Sequence, residues 1–153
     1  MNFENLFNII SESAPQLIED TLIGLLNNSI TPEKQDDTQA TMAPKFLKEE
    51  AKINWNKPAL EIHNLIRGIY KAPSAYTIYN GKILKIMESF PLNVSCPLMA
   101  GEVVNITKEG LEISTSEGHL LIKKVKPEGK GEMFARDWAN GSKIKIGDRF
   151  DEV

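Results

Sequence analysis

At Tyr76 the apolar residues stop recurring every three or four positions and begin to alternate. Tyr76-Thr77-Ile78-Tyr79 is followed by Asn80-Gly81 and then by Lys82-Ile83-Leu84-Lys85-Ile86-Met87. A period of two puts one set of side chains on each face of a strand. Asn-Gly accepts the positive φ angles of a tight type I′ turn at little cost. Residues 76–87 are therefore confined to a β-hairpin. Three more short strands are expected over Gly101–Thr107, Leu111–Thr115 and His119–Val125, with Lys108-Glu109-Gly110 and Ser116-Glu117-Gly118 as turns. Met133 to Asn140 reads as a short helix closed by Gly141, and a last strand is expected near Arg149-Phe150. Five or six short strands with a late helix point to a mainly β fold with helices, built as a small OB-like β-barrel.

The chain before the hairpin is helical in period. Leu6, Ile9, Ile10, Leu17, Ile18, Leu22, Leu25 and Leu26 recur at helical spacing. Pro15 has no donor N–H and is expected to kink this helix or start a second one. Residues 31–47 carry no periodicity and read as an extended linker. A second helix is expected over about Lys57 to Ile69, with Leu60, Leu65, Ile66 and Ile69 on its apolar face. The expected organisation is thus an N-terminal helical segment at 1–30, the linker, and a barrel domain at 48–153.

Charge is unevenly spread. The net charge is −3, which argues against a protein that coats nucleic acid generally. Residues 1–47 hold 2 basic and 7 acidic side chains, whereas residues 120–149 hold 8 basic and 4 acidic ones. The positive end therefore lies near the C-terminus. The first residues show no signal-peptide pattern, and no apolar run approaches the length of a membrane span, so no membrane partner is expected. One cysteine, Cys96, cannot form an internal disulfide and suits a reducing cytoplasm as a half-buried apolar residue.

The usual catalytic constellations are hard to assemble. His63 and His119 are the only histidines, and each reads as structural. No Cys/His cluster suits zinc, and no glycine-rich nucleotide motif occurs. The segment from Lys123 through Gly131 is the best ligand-facing candidate, because glycines let backbone N–H groups approach an anion and lysines supply point charges. The same composition suits a plain surface turn. Trp55 and Trp138 read as core residues before they read as base-stacking platforms, and Tyr76 and Tyr79 as cross-strand packing.

The residues then become familiar. Gln35, Thr41, Ala43, Lys45, Lys48, Glu49, Ile53 and Trp55 stand where the junction of the methionyl-tRNA formyltransferase family has its pattern, with Asn54 in place of the usual Asp. Asn64-Leu65-Ile66-Arg67 and Pro73-Ser74-Ala75-Tyr76-Thr77 resemble that family's Asn-x-Ile-Arg-Ala … Pro-Gly-Ala-x-Thr signature. They depart at Gly68, at Lys71 where proline is common, and at Ser74 where glycine is common. Gly101, Gly110-Leu111, Gly118, Pro127, Gly129, Lys130 and Met133 complete the pattern, although Gly131 replaces a second basic residue. Asn5-Leu6 through Leu26 resembles the last helical part of the family's catalytic domain.

The resemblance implies the C-terminal half of such an enzyme, whose family transfers a formyl group from 10-formyltetrahydrofolate to initiator methionyl-tRNA. It implies a tRNA partner held through phosphates, with Lys45 and Lys48 in the linker and Arg67, Lys123, Lys124, Lys126 and Lys130 on the barrel. The family's catalytic Asn, His and Asp belong to a domain with no counterpart here, so no catalytic residue and no cofactor are expected for this chain alone. Two alternatives stand beside this reading. The chain can be one half of a two-chain formyltransferase, with Leu6, Ile10, Leu22 and Leu26 as the face that meets a separate catalytic half. It can also be the barrel of a sugar-nucleotide formyltransferase.

Overall fold

The computed structural model describes residues 1–94 and 99–150. Cys96, expected as a half-buried apolar residue, lies outside them. The chain divides into two compact units, Met1–Phe46 and Leu47–Val153.

The first unit is dominated by α1 (Phe3–Leu26). Asn2 and Asn5 form a reciprocal capping box, each side chain accepting from the other's backbone N–H at 3.0 and 3.1 Å. This satisfies two of the donors that a helix start leaves open. The helix runs through Pro15 as one element, so no second helix starts there. Pro15 removes one hydrogen bond, but this stretch is exposed, so water can serve the freed carbonyl. Between Asn27 and Phe46 the one regular element is a short turn at Asp37–Gln39, where Asp36 accepts from the Thr38 N–H and hydroxyl.

The second unit is an antiparallel sheet carrying two helices. Its strands are β1 (Tyr76–Tyr79), β2 (Lys82–Leu92), β3 (Val103–Ile106), β4 (Leu111–Ser114), β5 (His119–Pro127) and β6 (Met133–Phe134). The order across the sheet is β1-β2-β5-β4-β3, and β6 also pairs with β5. The Asn80-Gly81 turn joins β1 to β2 with φ of +49° and +72°. Leu84, Ile86, Leu111, Ile113, Leu120, Ile122 and Val125 alternate inward and are essentially fully buried.

Both edges of the sheet are closed by irregular segments. Ile53 N–H donates to the Tyr76 carbonyl at 2.7 Å along the β1 edge. Val103 N–H donates to the Asp148 carbonyl at 2.8 Å along the β3 edge. Trp55 then stacks on Phe150 at 5.7 Å between ring centres, and Tyr79 and Trp138 complete an aromatic cluster with it. Trp55 donates to the Thr77 hydroxyl at 3.1 Å, and the Tyr79 hydroxyl donates to Asp148 at 2.9 Å. Both tryptophans are core residues, and this cluster completes what the strands leave open.

Helix α2 (Ala59–Gly68) buries Ala59, Ile62 and Ile66. Leu60, expected on that face, is 60% exposed. Ile62 and Ile66 set the seam, and Leu60 falls to one side of it. His63 sits against the Ser89 hydroxyl at 3.1 Å, and burial, with help from Arg67, holds its pKa below the usual 6.5. Helix α3 (Ala135–Ser142) ends on Lys143, whose left-handed φ of +55° makes it the cap in place of the expected Gly141.

Ser74 also adopts a left-handed conformation, at φ +71°. That accounts for the glycine common at this place in the resembling family, because a Cβ there costs about 1–2 kcal/mol. Ser74→Gly regains part of this against the larger entropy of the unfolded glycine. Thermal unfolding of the Ser74→Gly variant should show a midpoint a few degrees higher, and an unchanged or lower midpoint contradicts the strain.

Candidate nucleic-acid interface

Strand register decides which lysines meet. In the β1–β2 hairpin Tyr76 pairs with Lys85 and Thr77 with Leu84. Thr77 and Leu84 are buried, so Tyr76 and Lys85 lie on the opposite face. On the other side of β2, Lys85 pairs directly with Lys126 of β5, between the buried Ile86–Val125 pair and the Leu84–Pro127 pair. Like charges directly opposite in neighbouring strands are unfavourable, by about 0.2–1 kcal/mol for such pairs. A bound anion between them reverses that sign.

Lys85 Nζ donates to the Pro73 carbonyl at 3.2 Å, which orients it toward the corner before β1. There it lines a groove of about 460 Å³ together with Lys48, Glu49, Lys71, Ser74 and Tyr76. Lys71 lies 5.5 Å from the centre of the Tyr70 ring. Three ammonium groups and one carboxylate thus border this groove, with Lys126 beside it through its pairing with Lys85. A concave surface of lysines suits phosphate oxygens, which need point charges and no fixed geometry.

The sequence-nominated residues separate on this surface. Lys48 borders the groove and Lys126 adjoins it. Lys124 is held by Glu88 at 3.1 Å, and this contact raises its pKa. Lys123 is half-buried on β5. Arg67 is exposed on α2 and donates to the Asn64 side chain at 2.8 Å. Lys130 lines a different groove of about 380 Å³ with Lys82, Tyr79 and Trp138. Lys45 is exposed and belongs to the first unit.

The glycine-lysine segment is also less loop-like than it reads. Strand β5 continues through Pro127, so only residues 128–131 form the turn. Lys71 and Lys85, which also line the groove, were not nominated from the sequence. Lys85 carried one usable signal, since it alternates with the apolar Leu84 and Ile86 and must therefore face outward.

A family profile described as "Formyl transferase, C-terminal domain" matches residues 45–143. Among curated proteins, the chain is 37% identical over 142 residues to a methionyl-tRNA formyltransferase of Clostridium tetani, covering 93% of this chain and 46% of that protein. It is 34% identical over 148 residues to the Bacillus subtilis methionyl-tRNA formyltransferase, covering 96% and 47%. The chain therefore spans about half the length of the curated relatives it matches. Among solved structures, a crystal structure of an Aquifex aeolicus HypX variant superposes with a TM-score of 0.66 at 15% identity, over 90% of this chain and 26% of HypX. HypX in complex with tetrahydrofolic acid superposes at 0.62 with 14% identity, again over 90% and 26%. At such identities the likeness to HypX is one of fold. With a barrel of this topology, the profile match over its length and curated relatives of one kind, the chain belongs to the formyl transferase C-terminal domain family.

Proposed function

We propose that this chain holds initiator methionyl-tRNA by its phosphate backbone, as the C-terminal part of a methionyl-tRNA formyltransferase. Formyl transfer and the 10-formyltetrahydrofolate donor belong, in this reading, to the portion of the enzyme that the chain does not span. No catalytic residue is assigned here. The observation that carries the reading is the Lys85–Lys126 pair beside a groove that Lys48 and Lys71 also border. Two lysines placed opposite each other at a cost in stability make sense where a polyanion sits between them.

Lys48, Lys71, Lys85 and Lys126 form the primary contact set. Lys45, Arg67, Lys123 and Lys130 are further contacts in this reading, and Lys124 contributes least because Glu88 already pairs with it. Contacts of this kind fix the position of an RNA without reading its bases. Amide chemical-shift mapping of the isotope-labelled chain with tRNA tests the assignment. Shifts should concentrate at residues 71–76, 83–88 and 123–127. Shifts confined to the opposite end, around Leu92 and Gly118, refute it.

A further inference from the structure

The groove that Lys130 lines has a different make-up from the lysine groove. It encloses about 380 Å³ among the β1–β2 turn, the turn after β5 and α3. Tyr79 and Trp138 give it an aromatic lining, Ile83 and Pro127 add apolar surface, and Lys82 and Lys130 are its cations. Small-ligand pockets run from about 300 to 1,000 Å³. A space at the lower end of that range suits one small group and is too small for a helix or a duplex.

The aromatic lining is fixed without a ligand. Tyr79 meets Trp138 edge-on at 5.5 Å between ring centres, and both rings pack on Phe150 at 5.5 and 6.3 Å. The Tyr79 hydroxyl is tied to Asp148 at 2.9 Å. A surface already held in place binds without the cost of ordering it. The two cations are exposed and, among the described residues, neither stands in an ion pair, whereas Lys124 does. Among the described residues Glu128 is the one carboxylate lining the groove. An aromatic hollow with a surplus of positive charge selects a flat ring that carries an anion, which is the chemistry of a nucleotide.

Ile83 connects this groove to the proposed RNA contact. Its side chain is 43% exposed, and it lines both this groove and the one bordered by Lys48, Lys71 and Lys85. A phosphate chain lying along the lysine groove therefore reaches the aromatic one by passing a single side chain. Bases within a duplex are paired and stacked, but an unpaired base can splay out and lie on an aromatic ring.

We infer that the Tyr79–Trp138 groove receives one unpaired nucleotide of the RNA whose backbone the lysine groove holds. The base lies against the aromatic lining and Ile83, and its phosphate meets Lys82 and Lys130. This rests on the tRNA reading and adds to it a site for a base.

The test follows the indole N–H signals of the complete chain by NMR. The chain has two tryptophans, and Trp55 donates to Thr77 outside this groove, so the other signal reports on Trp138. A single-stranded oligoadenylate of about five nucleotides, within the span that small barrels bind, should shift the Trp138 signal and leave that of Trp55 in place. A blunt RNA duplex should shift residues 71–76 and 83–88 and move neither indole. An abasic oligomer of the same length keeps the phosphates. It should leave Trp138 unmoved and bind at least about fivefold more weakly, the lower end for losing one stacked base. Lys82→Ala with Lys130→Ala should lower the salt slope of oligoadenylate binding by about 1.4, at about 0.7 for each single-strand phosphate. Lys108→Ala, on the β3–β4 turn, should not change it. A Trp138 signal that ignores the single strand, an equal shift from the abasic oligomer, an unchanged slope in the double variant, or adenosine monophosphate binding more tightly than the oligomer overturns the inference. If the duplex still shifts the lysine-groove residues, this site alone has failed. If no RNA shifts any residue, the tRNA reading fails with it.

Discussion

Replacing Lys48, Lys71, Lys85 and Lys126 together by alanine should flatten the salt dependence of tRNA binding by about 3–4 in the slope of log affinity against log salt. Each phosphate neutralised by a cationic side chain contributes about 0.9 to that slope for a duplex, so four contacts give about 3.6. Between roughly 50 and 200 mM salt such a set accounts for an approximately 150-fold change in affinity. The variant should bind weakly at low salt and lose little more as salt rises. Lys124→Ala should barely move the slope, because Glu88 already holds that ammonium at 3.1 Å. The contrast between Lys124 and Lys126, two residues apart on β5, separates a built contact set from general positive charge. Equal slopes for the parent and the fourfold variant, measured by fluorescence titration, would remove these lysines from the interface.

Trp55→Ala should destabilise the barrel by about 3–5 kcal/mol, in the range for deleting a large aromatic from a core. Trp55 is 4% exposed, stacks on Phe150 and donates to Thr77. Its position raises the expectation toward the upper end. It joins the segment that pairs with β1 to the segment that pairs with β3, so its loss opens the one side of the sheet that strands do not close. For a unit of this size the midpoint of thermal unfolding should fall by roughly 15–25 °C. A fall of only a few degrees would mean that the aromatic cluster fills space without tying the edges together.

The hairpin was legible because two local signals agree, the alternation from Tyr76 and the Asn80-Gly81 turn. The remaining strands follow the same alternation, and the barrel follows from their number and spacing. The closure was not legible, because Ile53, Trp55 and Phe150 lie in segments with no period and meet only through the completed sheet. Leu60 and Lys143 mislead for a related reason. Helix seams and caps are set by what meets the core, and Leu60, two residues and about 200° of helix rotation from the buried Ile62, faces away from the seam. Pro15 reads by local rules as a kink or the start of a second helix, but this stretch is exposed, solvent can serve the freed carbonyl, and a single helix continues.

The proposed interface was half legible. Lys48 and Lys126 were nominated by resemblance, while Lys71 and Lys85 were not. Lys71 stands where the resembling family has proline, a residue restricted to negative φ, whereas Lys71 itself sits at φ +68°. Lys85 meets Lys126 only through the pairing of β2 with β5, a long-range register that no local pattern encodes. Composition alone ranks Lys124 equal to Lys126, and a single carboxylate on the neighbouring strand separates them.

The account rests on the second unit holding RNA through these ammonium groups, and direct titration of initiator tRNA into the chain at about 50 mM salt tests it. Saturable binding that weakens steeply toward 200 mM is the expected result. No association at the lower salt would contradict it, as would affinity that ignores ionic strength.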